Sequence, residues 1–219
     1  MIAFVESPLA AHIWAAFTFK YIVLPPLLFL IGAIPSAHLI ARRRGINDLR
    51  ATGSQNVGAS NIARQAGRKW GALTLIADAL KAFMPIALLR GFGIIRESDI
   101  LWVGALLMLG HNYTPFLGWR GGKGVSVIGG ILCYLSLGSV LISLIPAILV
   151  YRALRWVPGL TIALLLTFEA CAVIGRLSLT AKLAPLVFGL ISLIATVPNV
   201  IRTPSQGIPP VLRGDGSTY

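Results

Sequence analysis

One pattern recurs from residue 20 to residue 198: apolar runs about as long as a membrane span, separated by short polar or glycine-rich stretches. A helix of about 20 apolar residues crosses a hydrocarbon layer about 30 Å thick. Residues 20–41, "KYIVLPPLLFLIGAIPSAHLIA", make the first such run, and 71–91, 100–118, 157–175 and 180–198 make others. The stretch 124–151 is too long for one span and short for two, and a turn near Leu137 and Gly138 divides it most simply. Residues 1–18, with Trp14, read as an interfacial amphipathic segment. The prediction is an all-α polytopic membrane protein, a single integral membrane domain over 1–219 with about seven transmembrane helices. Composition agrees: 56% of residues are hydrophobic and 12% charged, against about 25% charged in a soluble domain.

The net charge is +12. On a soluble chain that excess would point to nucleic acid. Here it sets orientation and supplies contacts for anionic lipid or substrate, so no nucleic-acid partner is expected. Seven spans starting outside put 42–70, 119–124, 152–156 and 199–219 on one side. Those segments carry most of the 19 lysines and arginines, among them Arg42, Arg43, Arg44, Arg50, Arg64 and Lys123. That side is therefore read as cytosolic, with the N-terminus out and the C-terminus in. Glu6 and the lack of a basic leading region argue against a cleavable signal peptide. Cys133 and Cys171 lie far apart in apolar stretches, and the histidines are scattered at 12, 38 and 111. Neither set has metal-ligand spacing, so no metal or cofactor is expected.

Topology accounts for Arg42 to Arg44 but not for the small polar residues interleaved with the later cations. In "NDLRATGSQNVGASNIARQAG", Asn47 to Gly67, the residues Ser54, Asn56, Ser60 and Asn61 offer short hydrogen-bonding groups. Arg50 and Arg64 add planar positive forks that suit phosphate or carboxylate. A helix over Val57 to Gln65 would stack Ser60 on Arg64, with Asn61 beside Arg64, and end at Gly67. An ordinary solvated loop is the alternative. In the second cluster Gly121, Gly122 and Gly124 surround Lys123 just before an apolar helix. Unpaired N–H groups there, with the lysine, would favour an anion. It is not a P-loop, because Gly124 stands where that loop needs Ser or Thr. His111 precedes the cluster, as a structural hydrogen-bonder or a substrate contact. Asp78 and Lys81 sit three apart inside the second apolar run and are read as an ion pair that orients the glycine-rich loops. Glu169, in a later run, is read as neutral or paired with Arg176.

Together the two clusters resemble those of the bacterial acyl-phosphate:glycerol-3-phosphate acyltransferases of the PlsY type. The family's first motif is approximately G-S-G-N-x-G-A-T-N-x-x-R, and "GSQNVGASNIAR", Gly53 to Arg64, matches it with Gln55 for Gly and Ser60 for Thr. The second is approximately G-H-x-F-P-x-F-L-x-F-x-G-G-K-G, and "GHNYTPFLGWRGGKG", Gly110 to Gly124, matches it with Tyr113 and Trp119 for aromatics and the proline moved to Pro115. The Asp78–Lys81 pair and "GAIPSAHLIA" in the first run also fit. The third motif, R-x-x-S-x-G-S, is replaced by "RWVPGLT", Arg155 to Thr161, with Thr161 for the last serine. The "SLGS" at Ser136 to Ser139 is offset from the motif's place. A late H-x-x-N-I pattern becomes "TVPNV", with Asn199 kept and Thr196 in the histidine position.

The resemblance implies a seven-helix enzyme of the bacterial inner membrane, probing substrates from the cytosolic face without metal or nucleotide. It would transfer a fatty acyl group from acyl phosphate to the 1-hydroxyl of glycerol 3-phosphate, as a monomer among membrane lipids. It implies catalytic roles for Ser54, Arg64 and Lys123. Substrate contacts would come from Asn56, Ser60, Asn61, His111, Gly121, Gly122, Thr161 and Asn199. The donor's own phosphate would take the hydroxyl proton. The altered third motif leaves room for a non-catalytic lipid- or phosphate-binding paralogue, or for another polyol-phosphate acceptor. A transporter reading lacks both polar-lined spans and an internal repeat.

Overall fold

The computed structural model describes residues 8–51 and 53–202, with side-chain surroundings for 12–51 and 53–197. Among the described residues its regular secondary structure is all helical, joined by loops. Six of its helices are long and apolar enough to cross a membrane.

The first comprises α1, Pro8–Thr18, a π-helical turn, Phe19–Val23, and α2, Leu24–Ala33. These run on without a gap, so residues 8–18 continue into the first span. Pro35 ends α2, because it lacks an N–H and forces the preceding residue out of helical geometry. Ile34 sits at ψ 115°, and the chain restarts as α3, Ser36–Arg43. The short α4, Ala59–Gln65, leads through Gly67, at φ 102°, into α5, Arg68–Gly91. Then come α6, Ile100–Asn112; α7, Val125–Leu154; α8, Val157–Ile174; and α9, Leu179–Arg202.

The division expected near Leu137 falls at Ser136, where α7 is interrupted at φ −163°, ψ 96°. The Ser136 hydroxyl accepts the N–H of Ser139 at 3.2 Å, capping the second half as a new helix. A straight rod over Val125–Leu154 would hold its ends about 45 Å apart. Instead Lys123 and Arg155 line one cleft, and Val125 and Tyr151 line one cavity. The chain therefore folds back on itself at Ser136. The count of seven rests on dividing this segment; length and apolarity alone give six.

Interhelical packing relies on small residues. A Cβ at Gly32 would strike the carbonyl of Leu107, and one at Gly110 that of Phe29, so α2 and α6 approach backbone to backbone. The core behind them holds Leu28, Ile86, Leu107, Met108, Ile128, Ile131, Phe168 and Phe188, all but fully buried. Leu, Ile and Val on the outer faces are exposed, including Leu141, Ile145, Leu166 and Leu186. That distribution matches a lipid-facing surface, where there is no water to hide apolar groups from.

The charges inside the helices have a structural origin. The break at Ile34–Pro35 leaves carbonyls without intrahelical partners. Thr114 Oγ1 donates to the Ala33 carbonyl at 2.7 Å, and Lys81 Nζ donates to that of Ile34 at 3.0 Å. Lys81 also meets Asp78 Oδ1 at 2.8 Å and His111 Nδ1 at 2.8 Å. The Asp78 contact is an ion pair, and the hydrogen bonds of the ammonium go to Ile34 and His111. With Nδ1 accepting, a neutral His111 carries its proton on Nε2. At the other end of the bundle Lys20 pairs with Asp99 at 2.6 Å.

Candidate active site

The first polar loop is built around Asn61, which is fully buried. Its amide nitrogen donates to the carbonyls of Leu49 at 2.6 Å and Asn56 at 3.1 Å, and its oxygen accepts the N–H of Ser54 at 3.2 Å. Gly53 must lack a Cβ because one would collide with that oxygen. Asn61 thus holds the loop's shape, and its neighbours Ser54, Asn56 and Ser60 line the cleft beside it. Arg50 ties this loop to the second: its Nη2 donates to the carbonyls of Leu117 at 2.9 Å and Arg120 at 3.0 Å.

The second loop returns along the end of α6. Gly121 N–H donates to the Asn112 carbonyl at 2.9 Å and Gly122 N–H to the His111 carbonyl at 3.1 Å. A side chain at Gly122 would strike the His111 ring. These two glycines permit close approach, but their N–H groups are already engaged within the protein. The turn folds back on itself. They line a small recess with Asp78 and His111. Gly124, at φ 81°, then caps the start of α7.

Lys123 stands where three spaces meet. The first is a narrow polar cleft of about 50 Å³ lined by Ser54, Asn56, Ser60, Arg64, Lys123 and Arg155, with Trp156, Val157 and Pro158. The second, of about 270 Å³, shares Asn56, Ser60 and Lys123 and runs between Ala63, Gly71, Leu75, Val125, Tyr151 and Leu160, with Asp78 and His111 in its wall. The third, of about 120 Å³, lies between α8 and α9, where Thr161, Ser192 and Thr196 sit among Ile162, Leu165 and Leu193. Burial holds the Lys123 ammonium below the ordinary lysine range.

The structure brings Ser54, Asn56, Ser60, Arg64 and Lys123 to one cleft, and puts His111 in the adjoining cavity. Thr161 is in the third space, its hydroxyl donating to the Val157 carbonyl at 3.1 Å. The side chain of Asn199 lies outside the described residues. Two residues escaped the sequence reading as site members. Arg155 was visible only as the head of an altered motif. Ser192 donates to the backbone carbonyl of Lys123 at 2.7 Å, a contact across the chain that leaves no local trace. Among the described residues no cluster of His, Cys, Asp and Glu has the makeup of a metal site.

A bundle of helices long and apolar enough to cross a membrane, with a cationic cleft beside apolar cavities, defines the class: an all-helical integral membrane protein. The profile of the family described as "Glycerol-3-phosphate acyltransferase" matches residues 22–204, and the chain belongs to that family. A glycerol-3-phosphate acyltransferase of Geobacter sulfurreducens is 42% identical over 120 residues, 55% of this chain and 61% of the relative. One of Geotalea daltonii is 41% identical over 128 residues, 58% and 64% of the two chains. The matched stretch thus spans less than two thirds of these relatives. The crystal structure of PlsY (YgiH), an integral membrane glycerol 3-phosphate acyltransferase, in its glycerol 3-phosphate form superposes with a TM-score of 0.72 at 29% identity, covering 84% of this chain and 91% of that one. Its lysophosphatidic acid form gives 0.68 at 27% identity, with the same coverage.

Proposed function

We propose that the protein transfers a fatty acyl group from an acyl phosphate to the 1-hydroxyl of glycerol 3-phosphate, at the cytosolic face of a bacterial inner membrane. The observation that carries this reading is the position of Lys123, at the junction of a cationic polar cleft and two largely apolar cavities. A phosphate suits the first and the foot of a fatty chain the others. The glycerol 3-phosphate and lysophosphatidic acid forms of PlsY support it from the side of that protein. The concentration of basic residues at the loops supports the cytosolic orientation.

An acyl phosphate is a mixed anhydride and needs no covalent enzyme intermediate. The acceptor hydroxyl oxygen bonds to the acyl carbon. The bond from that carbon to the phosphate oxygen breaks, and the departing phosphate takes the hydroxyl proton. Lysophosphatidic acid and inorganic phosphate result. Arg64 and Lys123 hold and neutralise the phosphate as charge builds on it. Ser54, Asn56 and Ser60 orient the reactants with neutral hydrogen bonds. The uncommitted N–H groups at the start of α7 add partial positive charge beside Lys123.

A second acceptor remains attached to this reading by one observation. Thr196 Oγ1 donates to the Ser192 carbonyl at 2.8 Å, so the hydroxyl at the family's histidine position is turned to its own helix. The acceptor side of the site therefore differs from the family pattern, and other polyol phosphates belong in the assay. The test is lysophosphatidic acid and phosphate formation from palmitoyl phosphate by the detergent-purified chain, with and without glycerol 3-phosphate. Lys123→Ala and Arg64→Ala are expected to lower kcat/KM by about a hundredfold or more. No transfer to any polyol phosphate by the unmodified protein would sink the reading.

A further inference from the structure

We propose that Arg155 is a third phosphate-binding cation of the site, kept in a costly backbone conformation because its guanidinium is required at the mouth of the cleft. The inference rests on the acyl-transfer reading for the identity of the phosphate esters. Its geometry stands apart from that reading.

Arg155 is the residue that ends α7, at φ 49°, ψ 32°. Its N–H donates to the Tyr151 carbonyl at 2.8 Å, closing the last turn of the helix. This left-handed cap is the position where glycine is ordinarily found, because a Cβ crowds the following carbonyl. The chain has little freedom to avoid it. Trp156 is extended at φ −126°, ψ 113°, and Pro158 opens α8 immediately afterwards, so the reversal must be made at residue 155. Glycine would make it at lower steric cost, yet an arginine is there.

The side of the turn on which it stands gives the reason. Arg155 lines the same cleft as Arg64 and Lys123, and among the described residues no acidic residue lines it. Three cations gathered within a Debye length repel one another, and a phosphate monoester, with up to two negative charges, reverses that balance. Guanidinium is the group best shaped for two parallel hydrogen bonds to phosphoryl oxygens. Arg155 is exposed, so it stays hydrated while the cleft is empty and closes on an occupant from the rim.

Arg155→Gly, Arg155→Gln and Arg155→Lys test this in the full chain, purified in detergent. Three quantities are read: unfolding temperature, its rise on adding inorganic phosphate, and KM for palmitoyl phosphate and glycerol 3-phosphate, each with the other saturating. Arg155→Gly is expected to unfold at or above the temperature of the unmodified protein. Its phosphate-induced rise is lost, and at least one KM climbs by about tenfold, the scale of a charged hydrogen bond. Arg155→Gln follows in both phosphate readouts and Arg155→Lys falls between. A rise for glycerol 3-phosphate alone puts the acceptor's phosphate at Arg155, and a rise for palmitoyl phosphate alone puts the donor's there. The proposal is overturned if Gly and Gln variants keep both KM values within twofold and retain the phosphate-induced rise. If the unmodified protein transfers no acyl group, the activity reading fails, while the inorganic phosphate measurement still decides the role of Arg155.

Discussion

Ser192, on the last helix, donates its hydroxyl to the backbone carbonyl of Lys123 at 2.7 Å. Ser192 is 6% exposed, so no bulk water replaces that donor if it is removed. An acceptor stranded in this way costs about 1–3 kcal/mol. Ser192→Ala is therefore expected to lower the unfolding temperature and to loosen Lys123, cutting kcat/KM by about tenfold. Ser192→Thr keeps the hydroxyl and should recover most of both. Equal kinetics for Ala and Thr, measured in the palmitoyl phosphate assay, would remove the positioning role.

Arg50 joins the two loops through the carbonyls of Leu117 and Arg120. Arg50→Ala should leave each loop folded but free to drift, raising KM for the acyl donor several-fold with a smaller effect on stability, about 1–2 kcal/mol. Steady-state kinetics beside thermal unfolding separates the two. A large loss of stability at unchanged KM would mean that Arg50 only holds the fold.

Gln55 lies at φ 53°, where the family motif carries glycine. Gln55→Gly should relieve the steric cost of that conformation, a gain of about 1 kcal/mol, seen as a rise of a few degrees in unfolding temperature. A fall would show that the Gln55 side chain contributes more than its backbone costs.

Lys123 titrates below the ordinary lysine range because burial penalises its charged form. Phosphate binding needs the ammonium. Affinity is thus full below the depressed pKa and declines as pH rises through it, earlier than for a solvent-exposed lysine. Bound phosphate favours the charged form and shifts that decline upward. In pH profiles kcat/KM should fall before kcat does, and Lys123→Arg, which stays charged, should abolish the limb. The effect on stability has the opposite sign. Burial disfavours the cation, so the folded state gains as pH rises from the depressed pKa to the unfolded value. A basic limb surviving in Lys123→Arg would assign it to another group.

Lys81 pairs with Asp78 and hydrogen-bonds to His111 and the Ile34 carbonyl. Lys81→Met alone strands a buried carboxylate and should cost about 3–5 kcal/mol. The double change Asp78→Leu with Lys81→Met should recover much of that loss. A double variant no better than the single one, judged by yield and unfolding temperature, would place the main function of Lys81 at Ile34 and His111.

The apolar runs made the helical class legible, because only chains that live in lipid repeat them. The polar clusters were legible because small polar residues beside cations have no use in a span. Where the chain's own hydrogen bonds go was not. Asn61 resembles Ser60 in sequence, yet one amide spans a loop while the serine beside it lines the cleft. Gly121 and Gly122 read as donors for an anion, and no spacing announces that their N–H groups bond to the carbonyls of Asn112 and His111. Ser192 meets Lys123 only through tertiary packing, which no spacing announces. Ser136 was read as part of an offset motif, and its function is to start a helix.

The reversal at Ser136 has a consequence for the surrounding lipid. An arm over residues 125–135 rises about 16 Å, roughly half of a hydrocarbon core about 30 Å thick. The leaflet opposite the Lys123 cleft must therefore be completed by acyl tails pressed against the bend, or thin to meet it. Either adjustment carries an energy that varies with bilayer thickness, so turnover in reconstituted vesicles should track the length of the host lipid's chains as well as the length of the chain being transferred.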